Sequence, residues 1–142
     1  MMMDLRLELF VDDVQSSTQF YQDVLGFELG NNRSRQYTVV HQGNVHLGLT
    51  PISSLPEAHP LRRKYPKERL GIGVEIVFET DDFEKMYNMV LQSGYALIEP
   101  LTQRPWGAVD FRVTDPDGYY VRITSRDAVS EGIANQTRDN NL

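Results

Sequence analysis

Charged side chains that could bind a ligand recur at alternate positions of short apolar segments in both halves of the chain. They are Arg6, Glu8 and His46 in the first half, and Glu75 and Arg122 in the second. The carboxylates and the imidazole are oxygen and nitrogen donors that can hold a divalent metal ion. The guanidinium groups have no acceptor for a cation, but they can clamp a carboxylate or a phosphate. This set of residues therefore allows either metal binding or anion binding.

The segments that carry these residues alternate apolar and polar side chains, which is typical of a strand with one buried face. Residues 5–11 read Leu-Arg-Leu-Glu-Leu-Phe-Val, and residues 74–80 read Val-Glu-Ile-Val-Phe-Glu-Thr. We therefore expect Leu5 and Val74 to begin the buried faces of the two strands. The charged residues should lie on the opposite, polar faces.

Each of these strands is followed by the same order of signals, so the chain contains an internal repeat. An Asp-Asp pair at residues 12–13, and again at residues 81–82, precedes apolar residues at helical spacing, as is typical of a helix N-cap. Gly26 and Gly94 can end the two helices. Further strands are predicted after each helix, at Arg35–Gln42, Asn44–Thr50, Ala108–Thr114 and Tyr119–Thr124.

The repeat predicts an α+β fold made of two βαβββ modules. The curved mixed sheets are expected to form a cup, with the helices on its outer face. Residues 1–51 would form the first module, residues 52–71 a proline-containing linker, residues 72–125 the second module and residues 126–142 a polar C-terminal tail. The two modules together would make one domain.

The composition argues against several classes of function. Among 142 residues, 14 are Lys or Arg and 20 are Asp or Glu, giving a net charge of −6, whereas a nucleic-acid binder usually carries the opposite sign. The absence of cysteine excludes disulfides, zinc–thiolate sites and thiol catalysis. The apolar runs are far shorter than a membrane-spanning helix requires. We expect a cytoplasmic protein that binds neither nucleic acid nor membranes.

Two motifs carry a resemblance to the vicinal oxygen chelate superfamily, which includes glyoxalase I, extradiol dioxygenases and the bleomycin-resistance binding proteins. The first motif is Val-Asp-Asp-Val at residues 11–14, leading to Phe-Tyr-Gln-Asp-Val-Leu-Gly-Phe at residues 20–27. The second is Arg-Pro-Trp-Gly at residues 104–107, leading to residues 111–119. At this spacing the motifs are specific for the fold, although the fold hosts many chemistries. Because members often dimerise, the resemblance also implies a homodimer.

Metal-dependent members of this superfamily hold one divalent ion with four inward side chains from the first and last strands of each module. The residues that align with these positions are Arg6, Gly48, Glu75 and Arg122. Only Glu75 can ligate a cation, because Arg has no acceptor and Gly has no side chain. The resemblance therefore implies no metal cofactor at the usual site. One divalent metal held by a shifted set is the alternative, with Glu8, His46 and Glu75 as its ligands.

The bleomycin-resistance relatives bind a small molecule without turnover, and a Trp of the second motif lies near their ligand. We therefore predict a metal-free protein that sequesters a small molecule, with ligand-binding residues Arg6, Glu8, His46, Glu75, Trp106 and Arg122. Glu75 can pair with both Arg6 and Arg122, or leave one of them free to clamp an anionic group. A lyase or dioxygenase with the shifted metal set remains an alternative, as does a docking protein that uses the tail or the basic linker.

Overall fold

A computed structural model describes residues 1–105 and 107–126, and the chain divides into two compact units, Met1–Leu70 and Gly71–Leu142. Each unit consists of a strand, a helix and three further strands, so the predicted α+β class and βαβββ layout are confirmed. The predicted tail after residue 126 lies outside the described residues. No helix in the described ranges is long and apolar enough to cross a membrane.

The first unit is a four-stranded mixed sheet with one short helix. The strand order is β1-β4-β3-β2, and β1 and β4 are parallel while the other neighbours are antiparallel. The elements are β1 (Leu7–Val11), α1 (Val14–Gln19), β2 (Glu28–Arg33), β3 (Thr38–Gln42) and β4 (Val45–Pro51), with a π-helical turn at Phe20–Val24 and a 3-10 turn at Ile52–Ser54.

The helix of the first unit begins where the Asp-Asp pair predicts. The Asp13 carboxylate accepts hydrogen bonds from the backbone N–H groups of Gln15 (2.9 Å) and Ser16 (3.4 Å), which satisfies two otherwise unpaired donors of the first turn. The chain leaves the helical turns at Gly26, whose positive φ of 73° suits a residue without a side chain. The structure differs from a plain helix because the second half of this segment is π-helical.

The strand residues that face the helices are buried, but both buried faces begin later than the alternation predicts. Leu9, Val11, Ile76 and Phe78 are buried, whereas Leu5 and Val74 are exposed, so the prediction for these two residues is wrong. Each lies before the first residue that pairs with a neighbouring strand, Leu7 in β1 and Glu75 in β5. An apolar residue beyond the paired region has no sheet to pack on.

The second unit repeats the layout of the first. Its strand order is β5-β8-β7-β6, with β5 and β8 parallel and the other neighbours antiparallel. The elements are β5 (Glu75–Thr80), α2 (Phe83–Ser93), β6 (Glu99–Gln103), β7 (Val109–Thr114) and β8 (Tyr120–Ser125). The helix begins after Asp82, as predicted, although the Asp82 side chain makes no capping hydrogen bond.

The turn between β7 and β8 fixes the alignment of these strands. The Asp115 carboxylate accepts backbone hydrogen bonds from Asp117 and Tyr119, both at 2.9 Å, and Gly118 has a φ of 93°. This confirms the turn that the Asp-Pro-Asp-Gly sequence predicts. The turn sets the register in which Arg112 lies directly opposite Arg122.

Candidate functional site

The polar face of the second unit's sheet carries a cluster of three arginines and three carboxylates. Alternation turns Asp110 and Arg112 of β7 to this face, while Phe111 between them faces the core. We use the name ion-pair cluster for Glu75, Glu99, Arg104, Asp110, Arg112 and Arg122, which are connected by ion pairs of 2.7–3.8 Å. Its formal charges cancel.

Asp110 and Arg104 form a bidentate pair within the ion-pair cluster. The Arg104 Nε and Nη2 donate to the two Asp110 oxygens at 2.8 and 2.7 Å, in the bidentate geometry that guanidinium and carboxylate groups favour. Only 1% of the Asp110 side chain is exposed. The hydrogen bond with Asp110 raises the pKa of Arg104 above its ordinary value, although burial of the guanidinium acts in the opposite direction. This pair anchors the segment after β6 to β7.

Glu75 lies between two arginines of its own unit, Arg112 and Arg122. The Arg112 Nη1 donates to Glu99 at 2.7 Å and its Nε donates to Glu75 at 3.4 Å. The Arg122 Nε lies 2.9 Å from a Glu75 oxygen, and its Nη1 lies 3.8 Å from Asp110. Within the first unit, the Arg6 side chain pairs with Glu8 at 2.8 Å, and 65% of it is exposed.

Arg122 differs from the other two arginines of the ion-pair cluster in its hydrogen bonds. Arg104 and Arg112 each donate two side-chain hydrogen bonds. Arg122 has close ion-pair distances, but its buried Nε–H is not aligned with any acceptor among residues 1–105 and 107–126. About a quarter of the Arg122 side chain, 26%, is exposed. Arg122 therefore combines a buried Nε–H that has no aligned acceptor with a side chain that is partly open to solvent.

Four members of the ion-pair cluster were not predicted as site residues. Asp110 and Arg112 alternate on a predicted polar strand face, which is a usable signal, and Arg104 belongs to the second superfamily motif. Glu99 lies in β6, a strand that the sequence pattern does not delimit. The predicted site residue Trp106 lies outside the described residues.

The polar face of the first unit carries a smaller group centred on Glu8. The Tyr37 hydroxyl lies 3.1 and 3.3 Å from the two Glu8 oxygens and donates to this carboxylate. Gly48 is opposite Glu8 in the parallel β1–β4 pair. A Cβ at Gly48 would overlap the Glu8 Oε2 and lie 2.6 Å from the Tyr37 hydroxyl oxygen. The missing side chain of Gly48 therefore makes room for the Glu8–Tyr37 hydrogen bond.

We expect Gly48→Ala to lower the pKa of Tyr37. Burial, and then the hydrogen bond and charge of Glu8, raise this pKa above its ordinary value of 10.0. The added methyl group would push the carboxylate and the hydroxyl apart and remove the contribution of Glu8. An NMR titration with ¹³C-labelled tyrosine measures the pKa, and Tyr37→Phe assigns the signal. Glu8→Gln is the control, and a lowered pKa in Glu8→Gln but not in Gly48→Ala would contradict this account of Gly48.

The remaining predicted residue, His46, lies opposite His41 across strands β3 and β4. The two rings are stacked with centroids 5.9 Å apart. Within each unit, the described residues include no group of three or more His, Asp or Glu that could hold a metal ion. At the four positions that the resemblance aligns with metal ligands, the chain has two guanidinium groups, a glycine and Glu75, and Glu75 is paired with Arg112 and Arg122. These side chains do not fit a divalent cation.

Solved structures with this fold include several glyoxalase-like proteins. A lactoylglutathione lyase from Agrobacterium tumefaciens is 22% identical, with a TM-score of 0.62 over 86% of this chain and 92% of that chain. A glyoxalase-related enzyme from Fulvimarina pelagi is 18% identical, with a TM-score of 0.68 over 88% and 89%. An integron cassette protein from V. cholerae is 21% identical, with a TM-score of 0.63 over 89% and 97%. At these identities the likeness shows the fold alone.

Sequence comparison identifies the family. The comparison with curated proteins found no match. The family model described as the glyoxalase/bleomycin resistance protein/dioxygenase superfamily matches residues 5–123, which is most of the chain and includes both repeats. The chain therefore belongs to the glyoxalase/bleomycin resistance protein/dioxygenase superfamily.

Proposed function

We propose that this protein is a metal-free binding protein that holds a small anionic molecule on the polar face of its second unit. Arg122 is the main anchor of the ligand. The observation that carries the proposal is that the Arg122 side chain is partly exposed and that its Nε–H meets no aligned acceptor within the described part of the chain, although it lies in the ion-pair cluster. A guanidinium presents its donors in a planar fork that matches a carboxylate or a phosphate.

The ion-pair cluster holds Arg122 in place before the ligand arrives. Glu75 lies 2.9 Å from its Nε and Asp110 lies 3.8 Å from its Nη1, so the side chain is positioned by charge without being saturated by hydrogen bonds. A ligand anion can take the place of Glu75 beside Arg122, because Glu75 keeps its contact with Arg112. Because the Arg122 side chain is already ordered in the free protein, ligand binding loses less conformational entropy.

The sequence motif that contains Arg104 suggests that the ligand has a flat portion as well as a charge. Arg104 belongs to a tight turn in which the Gly107 N–H donates to the Arg104 carbonyl at 3.0 Å. Trp106 follows Arg104 by two positions in the sequence. Since an indole can stack on an aromatic ring, we include Trp106 in the proposed binding set and expect an aromatic carboxylate or phosphate as the ligand class.

Arg122→Gln is expected to weaken binding of such a ligand by about tenfold or more, because a charge-assisted pair is lost. Isothermal titration calorimetry with salicylate, 4-hydroxybenzoate and phenyl phosphate measures this change. Lys85→Gln is the matched control, since it removes the same charge from an exposed position of α2 in the same unit. The control variant should bind as the wild type does.

Three results would overturn the proposed function. The first is that none of the three probes binds the wild-type protein. The second is that Lys85→Gln loses as much affinity as Arg122→Gln, which would show a general effect of net charge. The third is a stoichiometric divalent metal, found by elemental analysis in protein purified without chelator, which would favour the enzyme alternative instead.

A further inference from the structure

The first unit contains a cleft between α1 and the end of the β2–β3 hairpin, on the side of the sheet that packs against the helix. Its volume is about 460 Å³, and its walls include Gln15, Gln19, Arg33 and Arg35. Pockets for small molecules usually measure roughly 300–1,000 Å³. The cleft is therefore large enough for a small organic molecule.

The charge of the cleft is opposite to that of the whole chain. None of its lining residues is Asp or Glu, whereas the chain has a net charge of −6. Arg33 and Arg35 form no ion pair with any residue in the ranges 1–105 and 107–126. Two cations separated by one residue repel each other unless an anion lies between them. The cleft thus combines positive charge with an absence of competing carboxylates.

The segment that joins β2 to β3, next to Arg33 and including Arg35, makes several internal hydrogen bonds. The Ser34 N–H donates to the Tyr37 carbonyl at 2.8 Å, and the Thr38 hydroxyl donates to the Ser34 carbonyl at 2.9 Å. The Ser34 hydroxyl accepts from the N–H groups of Gln36 and Tyr37, both at 3.2 Å. Such hydrogen bonds restrict the backbone, which reduces the conformational entropy that is lost when a ligand orders the side chains of this segment.

We propose that this cleft is a second binding site, which takes a small organic anion carrying carboxylate or phosphate groups. Arg33 and Arg35 pair with the negative charge, and the amides of Gln15, Gln19 and Gln22 hydrogen-bond the hydroxyl or carbonyl groups of the ligand. All of these residues belong to the first unit. The site therefore shares no residue with the ion-pair cluster and does not depend on the function proposed above.

An NMR titration at low ionic strength tests the proposal, with citrate as the carboxylate probe and glucose 6-phosphate as the phosphate probe. We expect at least one probe to shift the amide signals of residues 14–22 and 33–38 of the wild-type protein. The double variant Arg33→Gln/Arg35→Gln should raise the dissociation constant by about tenfold or more. The control Lys64→Gln/Lys67→Gln, which removes the same charge from exposed positions of the same unit, should leave it nearly unchanged.

A second variant tests the cleft without changing either arginine. Gln15→Glu/Gln19→Glu places two carboxylates in the wall on α1 and should also weaken binding by about tenfold or more. Arg122→Gln should leave these shifts intact, so failure of one proposed site is distinguishable from failure of the other. The absence of shifts at residues 14–22 and 33–38 with both probes, or an equal loss in the lysine control, would overturn the proposal.

Discussion

Asp110→Asn is expected to lower the free energy of unfolding by about 3 kcal/mol, because it removes one partner of a buried ion pair. The Asp110 side chain is 1% exposed and accepts both hydrogen bonds of the Arg104 guanidinium. Arg112 and Arg122 lie 3.6 and 3.8 Å from the same carboxylate. An amide leaves these guanidinium groups uncompensated and turns an NH₂ donor toward their N–H donors.

Urea unfolding at neutral pH measures this loss, and Asp12→Asn is the matched control. Asp12 pairs with Arg63 at 2.9 Å, but 59% of the Asp12 side chain is exposed. We expect the control to cost at most about 1 kcal/mol, as for most exposed ion pairs. If Asp110→Asn costs no more than Asp12→Asn, the ion-pair cluster is not the stabilising feature that its burial indicates.

Phe111→Ala is expected to cost about 4 kcal/mol of unfolding free energy, since it removes a fully buried ring and leaves a cavity. The ring lies at 5.6 Å from Phe83 and 5.4 Å from Tyr87, measured between centroids, and both partners belong to α2. These edge and tilted contacts add to the burial of apolar area. The loss should therefore detach α2 from the sheet of the second unit.

The variant Phe111→Leu tests whether the cavity causes the loss of stability in Phe111→Ala. Leucine keeps much of the buried volume, so the loss should fall to about 1–2 kcal/mol. Urea unfolding measures both variants. Because Phe111 faces the core while Asp110 faces the polar side, Phe111→Leu should also leave the anion affinity of Arg122 unchanged. Equal losses for alanine and leucine would contradict the cavity explanation.

Local signals in the sequence were sufficient to predict the layout of the fold. The Asp13 cap, the positive φ of Gly26 and Gly94, and the Asp115–Gly118 turn are all short-range features, and the structure contains each of them. The ends of the strands were predicted less well. Leu5 continues the apolar alternation, but whether it is buried depends on a neighbouring strand that the pattern does not reveal.

The candidate site was only partly predictable because its contacts depend on register. The sequence predicts the pair of Glu75 with Arg122, and the β7–β8 alignment adds Arg112, which the sequence alone does not bring to Glu75. Arg112 and Arg122 are directly opposite each other, and such like-charged pairs are unfavourable unless carboxylates bridge them. Glu75 provides this bridge, so the repulsion between Arg112 and Arg122 on neighbouring strands is offset. The role of Gly48 likewise cannot be predicted from the sequence, because it depends on the positions of Glu8 and Tyr37 in the folded chain.

The pairing of the first strand with the last strand in each unit has a consequence for how the protein is made. β1 is parallel to β4 and β5 is parallel to β8, so each opening strand has no sheet neighbour until the last strand of its unit has been synthesised. Contacts between residues so distant in sequence form slowly. We therefore expect a nascent chain on the ribosome to gain stable structure in two abrupt steps, one as β4 emerges and one as β8 emerges.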